Sequence, residues 1–493
     1  MTRISLPIVR QAQVDLDADT HRRLDGLAGR LLANEPGLNR IDMFGVRISS
    51  GLSDAPAVFY EDHSEIPLFR GDDHGALAYR SFLLAERDDI YLLGGPRVPE
   101  YERYCHELLG LGAATVLQPE RAPDGRVPLA RRCAQDETIL ARLCDAAERE
   151  RELNIVPYLG TGNAWRLAAA IAARSGAEVR VAASPPRLTR HVNDKLWFTE
   201  RVREALDGNA SPLTYSVFGP AALASRIRAL ASRSPRVAVK IPDSAGSLGN
   251  VMVQSETLVG KPLAAVRQKI LDVLGERGWK RNYPLMVGVW DYPVIGSPSV
   301  NVWIPAREEG APIIEGIFDQ ALRDPEAAFV GAEPSELPGS LVERILRDAA
   351  CLAAYLQRLG YFGQCGFDAI LVGDAPESAS IHWIDCNGRW GGVSIPIAVA
   401  SRLVGDWTKR AIIIVQRTHL DLPSRTFAAV LDKIKGHLIG PGARGEGAVI
   451  LAPGGLLHGS GLNLLIVAGT KARAHAELQA VTSLLEADEG KPS

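Results

Sequence analysis

The pattern of apolar and polar positions in the first part of the chain alternates between short apolar runs and amphipathic stretches. Residues 89–95 and 154–160 are apolar runs that end in glycine turns, and each is followed by helical periodicity, at about residues 99–111 and 161–174. Another short apolar run follows at residues 178–183. Strand, helix and strand in this order are typical of a βαβ unit. The pattern therefore predicts a largely parallel sheet with flanking helices.

A glycine-rich loop between two predicted strands is the first candidate for chemistry. Residues 236–242 form a short strand that runs directly into the small-residue loop 243–250, and a strand resumes at residue 251. Glycines let backbone N–H groups approach phosphate oxygens closely, and Lys240 just before the loop adds positive charge. The loop leads into a strand, whereas a Walker loop leads into a helix. We expect a phosphate-covering loop; an ordinary glycine hairpin is the alternative.

Residues 382–392, HWIDCNGRWGG, combine strand-like alternation with metal-binding side chains. Alternation places Asp385, Asn387 and Arg389 on one face of the strand and turns Cys386 towards an apolar core. Two hard oxygen ligands two residues apart suit a Mg²⁺ ion that also contacts a nucleotide phosphate. The guanidinium beside them can hold a carboxylate or a phosphoryl oxygen.

A second acidic strand lies just upstream, at residues 366–372, and turn-forming residues 373–380 connect the two. If the strands pair antiparallel, Asp368 lies nearly opposite Asp385. Like charges in that position repel each other, so a cation between them would explain the arrangement. The alternative is a solvated hairpin whose acids face water.

The rest of the chain adds a hinge, a capped helix and a small last unit. The link between predicted strands 284–292 and 298–304 could expose the Asp291 carboxylate to an adenosine. The alternative is that Asp291 is a plain turn residue. A helix begins near residue 191, with Asn193 or Asp194 as its cap. After residue 424 we expect the following helices and strands: 427–435, 448–452, 462–467 and 470–485.

Composition narrows the class of protein. The chain has 493 residues, of which 46% are hydrophobic and 23% charged, with a net charge of −3 and six cysteines. This describes a globular protein with several cores and no general attraction to nucleic acid or membranes. The scattered cysteines read as reduced thiols, and with no signal-like apolar run at the N-terminus we expect a cytoplasmic protein. The glycine turns do not complete the G-x-G-x-x-G pattern, which disfavours a dinucleotide oxidoreductase.

The order of lysine helix, Val-Lys strand, glycine loop, hinge strand and D…D-x-N-x-R resembles the ATP-grasp superfamily of carboxylate–amine ligases over about residues 186–415. Within it, SAGSLGN, GFDAIL and WIDCNGRWGG look most similar to the pheganomycin-type peptide ligases, relatives of the butirosin-pathway ligase that loads glutamate onto a carrier protein. The resemblance implies an α/β (α+β) fold in three parts. These are a Rossmann-like pre-ATP-grasp domain (1–185), an ATP-grasp domain (186–419) and a small α/β C-terminal domain (420–493).

The resemblance also implies residue roles, carried over position by position. Lys195 and Lys240 are similar to the phosphate-contacting lysines, and Arg389 to the arginine that holds the substrate carboxylate or acyl phosphate; we take Arg389 and Lys240 as catalytic. Asp291 and Val294 occupy hinge positions that touch ribose and adenine. Many ATP-grasp enzymes have Glu where this chain has Asp at 291, 368 and 385. The expected flap over the phosphates contains Ser244, Gly246, Ser247, Leu248, Gly249 and Asn250. The expected Mg²⁺ (or Mn²⁺) ligands are Asp368, Asp385 and Asn387.

The activity implied is condensation driven by ATP. A carboxylate would be activated as an acyl phosphate and then joined to an amine, with release of ADP and phosphate. The expected partners are a small carboxylic acid and an amine or short peptide, with a carrier protein and a homodimer left open. The alternatives are loading of an amino acid onto a carrier-protein thiol, a non-catalytic nucleotide-binding subunit, and the oxidoreductase.

Overall fold

The computed structural model describes residues 11–12, 14–66, 77–120, 127–206, 209–244, 249–323, 328–416, 426–440, 445–458 and 461–486. Across these residues the strands lie in three sheets. Among the helices of the described ranges, none is long and apolar enough to cross a membrane.

The N-terminal part of the chain forms a parallel sheet, as the strand–helix alternation predicts. Its strands are β1 (Ile48–Ser50), β2 (Ala57–Tyr60), β3 (Ile90–Leu92), β4 (Thr115–Leu117), β5 (Glu152–Pro157) and β6 (Glu178–Val181). Their spatial order is β1-β6-β5-β2-β3-β4. Neighbouring residues face different cores: Val58 and Ile155 pack on one side, Phe59 and Val156 on the other. Both faces are therefore buried, as in most parallel sheets.

The helices of this region are α1 (Ala18–Asn34), α2 (Pro99–Arg103), α3 (Leu129–Gln135), α4 (Glu137–Glu150) and α5 (Gly162–Ser175). Asp136 and Thr161 cap α4 and α5 by accepting hydrogen bonds from backbone N–H groups three residues ahead. The helix predicted for residues 99–111 ends earlier, because residues Tyr104–Leu108 form a wider π turn. In that turn the Tyr104 hydroxyl accepts a hydrogen bond from the Ile450 N–H at 3.0 Å, which ties this region to the C-terminal strands.

An antiparallel sheet follows two connecting helices, α6 (Pro186–Val192) and α7 (Lys195–Ala205). Asp194 caps α7, accepting from the N–H groups of Leu196 and Trp197 at 2.8 and 2.9 Å, which selects one of the two predicted caps. The sheet and its two covering helices are β7 (Thr214–Val217), α8 (Pro220–Ala231), β8 (Arg236–Lys240), β9 (Asn250–Gln254), α9 (Leu263–Glu276) and β10 (Leu285–Val289). The strand order is β7-β10-β8-β9, so β8 and β9 are neighbours on either side of the glycine loop.

The third sheet carries the acidic hairpin. Its strands are β11 (Val294–Gly296), β12 (Pro298–Ile304), β13 (Ile313–Arg323), β14 (Ala328–Pro334), β15 (Gly363–Val372), β16 (Ser380–Asn387), β17 (Ala411–Val415), β18 (Gly447–Ala452) and β19 (Asn463–Ala468). β15 lies between β16 and the consecutive strands β11 and β12. Beyond β12 the order is β13-β14-β17-β19-β18. The remaining helices are α10 (Gly339–Arg358), α11 (Ser394–Val404), α12 (Phe427–Ile434), α13 (Gly454–His458) and α14 (Lys471–Glu486).

Contacts cross the predicted domain limits, which remain predictions. The isoleucine-rich strand β17 pairs with β19 from Ala411 opposite Ala468 onwards, so the C-terminal strands extend the third sheet. At the other end, Leu24 and Ala28 of α1 are buried in the core that α7 and α10 form against that sheet. The predicted domain limits assign α1 to the N-terminal unit, so the packing of α1 in this core was not predicted.

Candidate functional site

The hairpin β15–β16 places Asp368 directly opposite Asp385 in antiparallel register, as predicted. Its other face is apolar: Phe367 and Trp383 are fully buried there. Cys386 is also buried on that side, as its place in the alternation predicts. Because one face is locked into the core, the carboxylates on the opposite face are fixed in position.

Asp368 is held by two amide groups and faces a like charge. Gln320 Nε2 and Asn387 Nδ2 each donate to its carboxylate at 2.8 Å. Burial, followed by the negative charge of Asp385, raises the pKa of Asp368 to about 6. A positive charge placed between the two acids would therefore be stabilised. Gln320 was not predicted, because it lies on β13 and nothing in the local sequence marks it.

Two lysines approach the acidic pair. Lys195 is buried at the start of α7, where its Nζ lies 2.9 Å from Asp385 Oδ2 and donates to the Ser244 carbonyl. Lys240 ends β8; loss of hydration, followed by the positive charge of Lys195, lowers its pKa to about 8. Of the two, Lys240 lines the cavity described below, whereas the amine of Lys195 is engaged by Asp385 and Ser244; their phosphate contacts stay predictions.

The glycine loop is described at its two ends. Ser244 is buried and its hydroxyl donates to the Ile241 carbonyl at 2.7 Å. A Cβ on Gly249 would lie 2.1 Å from the Ser244 Oγ, so only glycine fits there. Asn250 begins β9, opposite Lys240. Three further residues of the predicted flap lie outside the described residues: Gly246, Ser247 and Leu248.

The predicted hinge lies between β10 and β11. Asp291 is largely buried, and its Oδ2 lies 2.9 Å from His382 Nδ1. Val294 begins β11 and is 42% exposed. His382 stands on β16, so the acidic hairpin also orients the hinge carboxylate. The sequence interpretation gave His382 no role.

Two asparagines hold the Arg389 guanidinium by hydrogen bonds. It donates through Nη1 to Asn193 Oδ1 and through Nη2 to Asn387 Oδ1 at 2.6 Å. Asn193 also accepts from the Gly388 N–H at 3.2 Å. A Cβ on Gly388 would lie 2.8 Å from Val192, so this contact requires glycine. Asn193, predicted as a helix cap, instead fixes the guanidinium.

These side chains surround a cavity of about 460 Å³, which we call the first chamber. Strands of the second and third sheets form its wall, together with segments that follow β2 and β5 of the first sheet. The predicted residues that line it are Lys240, Asn250, Asp291, Val294, Asp368, Asp385, Asn387 and Arg389. Lys195 lies behind this wall, where it contacts Asp385 and the Ser244 carbonyl.

The N-terminal part closes the first chamber with a buried trio of polar side chains, Glu61, His63 and Arg80, that the sequence did not reveal. Arg80 and His63 line the chamber, and Glu61 lies between them. Glu61 Oε1 accepts from Arg80 Nε at 3.0 Å and lies 3.2 Å from His63 Nε2. Burial alone would raise the pKa of Glu61, but the charge of Arg80 and the hydrogen bond with His63 outweigh it and lower that pKa. Only the packing of the first sheet against the third brings these residues to the site.

Residues 78–173 match the family model described as Pre ATP-grasp domain. Among solved structures, a biotin carboxylase–βγ-ATP complex from Campylobacter jejuni is 13% identical, with a TM-score of 0.50 over 90% of this chain and 92% of that one. An N5-carboxyaminoimidazole ribonucleotide synthetase from Thermus thermophilus is also 13% identical, with a TM-score of 0.49 over 88% and 100%. No curated protein matches the sequence.

The chain has the ATP-grasp fold. A pre-ATP-grasp domain at the N-terminus and a mixed α/β arrangement confirm the fold that the motifs of residues 186–415 imply. At this level of identity the likeness establishes architecture, and the chemistry has to be argued from the side chains.

Proposed function

We propose that this protein is an ATP-dependent, ADP-forming ligase that activates a carboxylate as an acyl phosphate and joins it to an amine. The observation that carries the proposal is the facing pair Asp368 and Asp385 in one cavity with Lys240 and Arg389. Phosphoryl transfer is catalysed mainly by positioning and by neutralising charge, so no nucleophilic side chain is required.

The nucleotide would occupy the hinge side of the first chamber. Val294 and Trp290 offer apolar contact for an adenine, and Asp291, oriented by His382, is placed to accept a ribose hydroxyl. The phosphates would then extend past Lys240 towards the acidic pair. This order follows from the strands: the hinge lies between β10 and β11, Lys240 ends β8, and the acidic pair lies on β15 and β16.

Asp368 and Asp385 would hold a Mg²⁺ or Mn²⁺ ion between their facing carboxylates; Asn387, the third predicted ligand, would have to release Arg389 from its Oδ1 to contribute an oxygen. In the described part of the chain, no group of three or more His, Cys, Asp or Glu is arranged to hold a metal, so phosphate oxygens would have to complete the coordination. The raised pKa of Asp368 indicates a site that would gain from added positive charge. When bound, such an ion would neutralise the charge of the phosphates.

A carboxylate oxygen, held by Arg389, attacks the γ-phosphorus; the bond to the bridging oxygen breaks and ADP leaves. The amine nitrogen then attacks the acyl carbon, a C–N bond forms, and phosphate leaves with the carboxylate oxygen. Of the two protons that the ammonium loses overall, one goes to phosphate and the other to solvent. Lys240 would neutralise charge at the leaving group, and Lys195 would add positive charge from behind Asp385.

The class of substrate is proposed from the sequence motifs. The resemblance of residues 244–250 and 383–392 to peptide ligases supports an amino acid or related small acid as the activated substrate, with a peptide or amide bond as the product.

A phosphate-release screen with ATP, Mg²⁺ and a matrix of amino acids as acid and amine tests this proposal. We expect ADP and phosphate to form only when a suitable acid is present. Adding hydroxylamine should trap the acyl phosphate as a hydroxamate. Absence of any acid-dependent ADP release across the matrix, with ATP binding intact, would count against the ligase function.

A further inference from the structure

Apolar side chains line the first chamber on the side away from the hinge, and we call this part of the chamber the apolar end. The N-terminal part and the third sheet both contribute to it, and its residues are Ile66, Leu77, Tyr158, Phe329 and Val393. Three strands separate β14, which carries Phe329, from β11, which carries Val294 of the hinge. A nucleotide at the hinge would therefore leave the apolar end to another ligand.

The apolar end is joined to the segment that carries Arg389. The N–H of Trp390, the next residue in the chain, donates to the Tyr158 carbonyl at 3.1 Å. Val393 lies four residues after Arg389, just before α11. A carboxylate held by Arg389 has to turn its attacking oxygen towards the nucleotide, so its carbon chain points away from the hinge. That direction leads to the apolar end.

The charged groups beside the apolar end already have partners. Arg80 and His63 line the chamber there, and both contact the buried Glu61 carboxylate. Arg80 also donates to neutral Gln416 at 3.4 Å. The reacting carboxylate would occupy Arg389. Among the described residues that line this end, none is left to neutralise a second charge on the acid, and burying an unpaired charge is costly.

A second cavity of about 500 Å³ adjoins the first chamber and offers a different environment. It shares Arg389 and Ile66 with the first chamber, but charged side chains of both signs line it, namely Glu65, Arg187, Arg190 and Asp243. The acidic pair lies in the first chamber, so the carboxylate that reacts beside it has the apolar end in its own cavity.

We propose that the apolar end binds the carbon chain of the activated acid, which therefore carries an uncharged, apolar side chain. The inference rests on the proposed ligase function and deepens it by naming the class of acid. The hydrophobic effect supplies the binding energy, since the acid and the wall bury apolar surface against each other.

Phe329 limits the size of this side chain. Its ring packs closely on Gly392, where an added Cβ would lie 2.8 Å from the ring and 2.8 Å from Gln416 Oε1. Phe329 therefore closes the apolar end directly beside the segment that carries Arg389. A smaller residue at position 329 would leave room for a larger acid.

Acids matched in shape but not in charge test the proposal. Methionine is compared with glutamate and leucine with aspartate, with ATP saturating and hydroxylamine as acceptor; for acids without an α-amino group the pair is 4-methylpentanoate and succinate. We expect kcat/KM for ADP release to be at least about 100-fold higher for the apolar member of each pair. Equal or higher values for the charged members would overturn the inference and leave the ligase function standing. Absence of ADP release with every acid would instead count against the ligase function.

The variant Phe329→Ala tests the place of binding. We expect the ratio of kcat/KM for tryptophan to that for methionine to rise at least about tenfold, because the apolar end becomes larger. Phe329→Leu should shift the ratio in the same direction by less. A ratio of two acids on one variant does not depend on the fraction of protein that is folded. Phe218→Ala, which alters a phenylalanine that is 74% exposed and lines neither cavity, should leave the ratio unchanged. An unchanged ratio in both Phe329 variants would overturn the assignment.

Discussion

Two buried clusters of charge face each other across the first chamber, and they treat a carboxylate in opposite ways. On the hairpin, Asp368 meets another acid and two neutral amides, and its pKa is raised to about 6. On the N-terminal side, Glu61 is buried more deeply but meets Arg80 and His63, and its pKa is lowered. The difference lies in the neighbours, since burial acts in the same direction on both acids.

The contrast distinguishes a site that a cation can still stabilise from a cluster whose charges are already paired. On the hairpin, Lys195 pairs with Asp385, but Asp368 has only neutral amides as hydrogen-bond donors there, so a cation can still stabilise it. In the trio, Glu61 and Arg80 balance each other's charge, and breaking this buried pair is costly. We therefore expect substitutions on the hairpin to affect catalysis, and substitutions in the trio to affect stability.

The largest effect is expected from Asp385→Asn. It removes one of the facing charges together with the ion pair to Lys195, and ADP release at saturating ATP and acid should fall at least about 10³-fold. Coupled-enzyme detection of ADP measures this. Asp374→Asn, an exposed acid in the turn of the same hairpin, is the matched control and should retain activity. Normal turnover in Asp385→Asn would remove this residue from the site and weaken the contrast.

The reverse outcome is expected for Glu61→Gln. Removing this carboxylate leaves the Arg80 guanidinium buried without its counter-charge, which should lower the free energy of unfolding by about 3–5 kcal/mol. Urea titration followed by tryptophan fluorescence measures the loss. Glu178→Gln breaks the surface pair with Arg47, in which both side chains are more than half exposed. That control should stay within about 1 kcal/mol of the unaltered protein. Similar losses in the two variants would mean that the trio is not a neutralised cluster.

The two arginines of the chamber allow a matched comparison. Arg389 is held by neutral asparagines and keeps its charge for a ligand, whereas that of Arg80 is satisfied by Glu61. Arg389→Lys should lower kcat/KM for the acid about 10²-fold while ATP affinity by calorimetry stays within about threefold. Arg80→Lys should instead reduce stability. Lost nucleotide affinity with intact chemistry in Arg389→Lys would contradict the role proposed for it.

The hairpin could be read from sequence and the trio could not, for a physical reason. The register of Asp368 against Asp385 depends on one turn and on alternation over a few residues, which are local properties. Lys240 and Gly249 were likewise marked by their loop. Gln320, His382 and Asn193 were missed, because their roles depend on strand and helix neighbours that are distant in the chain. The same holds for Glu61, His63 and Arg80, which reach the chamber only when the first sheet packs against the third.

The smallest effect is expected for a third acid, Glu315, which serves as a reference for Asp368 and Glu61. Glu315 on β13 is 2% exposed, and its side-chain oxygen accepts one hydrogen bond, from neutral Gln364 Nε2 at 2.8 Å. Burial raises its pKa from 4.5 to about 7, and the hydrogen bond only partly opposes this. Because the folded pKa lies above the unfolded one, folding takes up a proton. The stability due to this group is therefore complete below pH 4.5 and is lost as the pH rises through about 7.

Comparison with Glu315→Gln isolates that contribution. The variant retains a side-chain carbonyl for Gln364 but cannot ionise, so its free energy of unfolding relative to the unaltered protein should rise by about 2–3 kcal/mol between pH 5 and pH 8. Urea titrations at several pH values in this range measure the difference. If this difference does not change with pH, burial alone does not set the pKa of a carboxylate in this sheet. The raised pKa of Asp368 would then have to be attributed to Asp385 alone, which would make the acidic pair the whole source of the contrast.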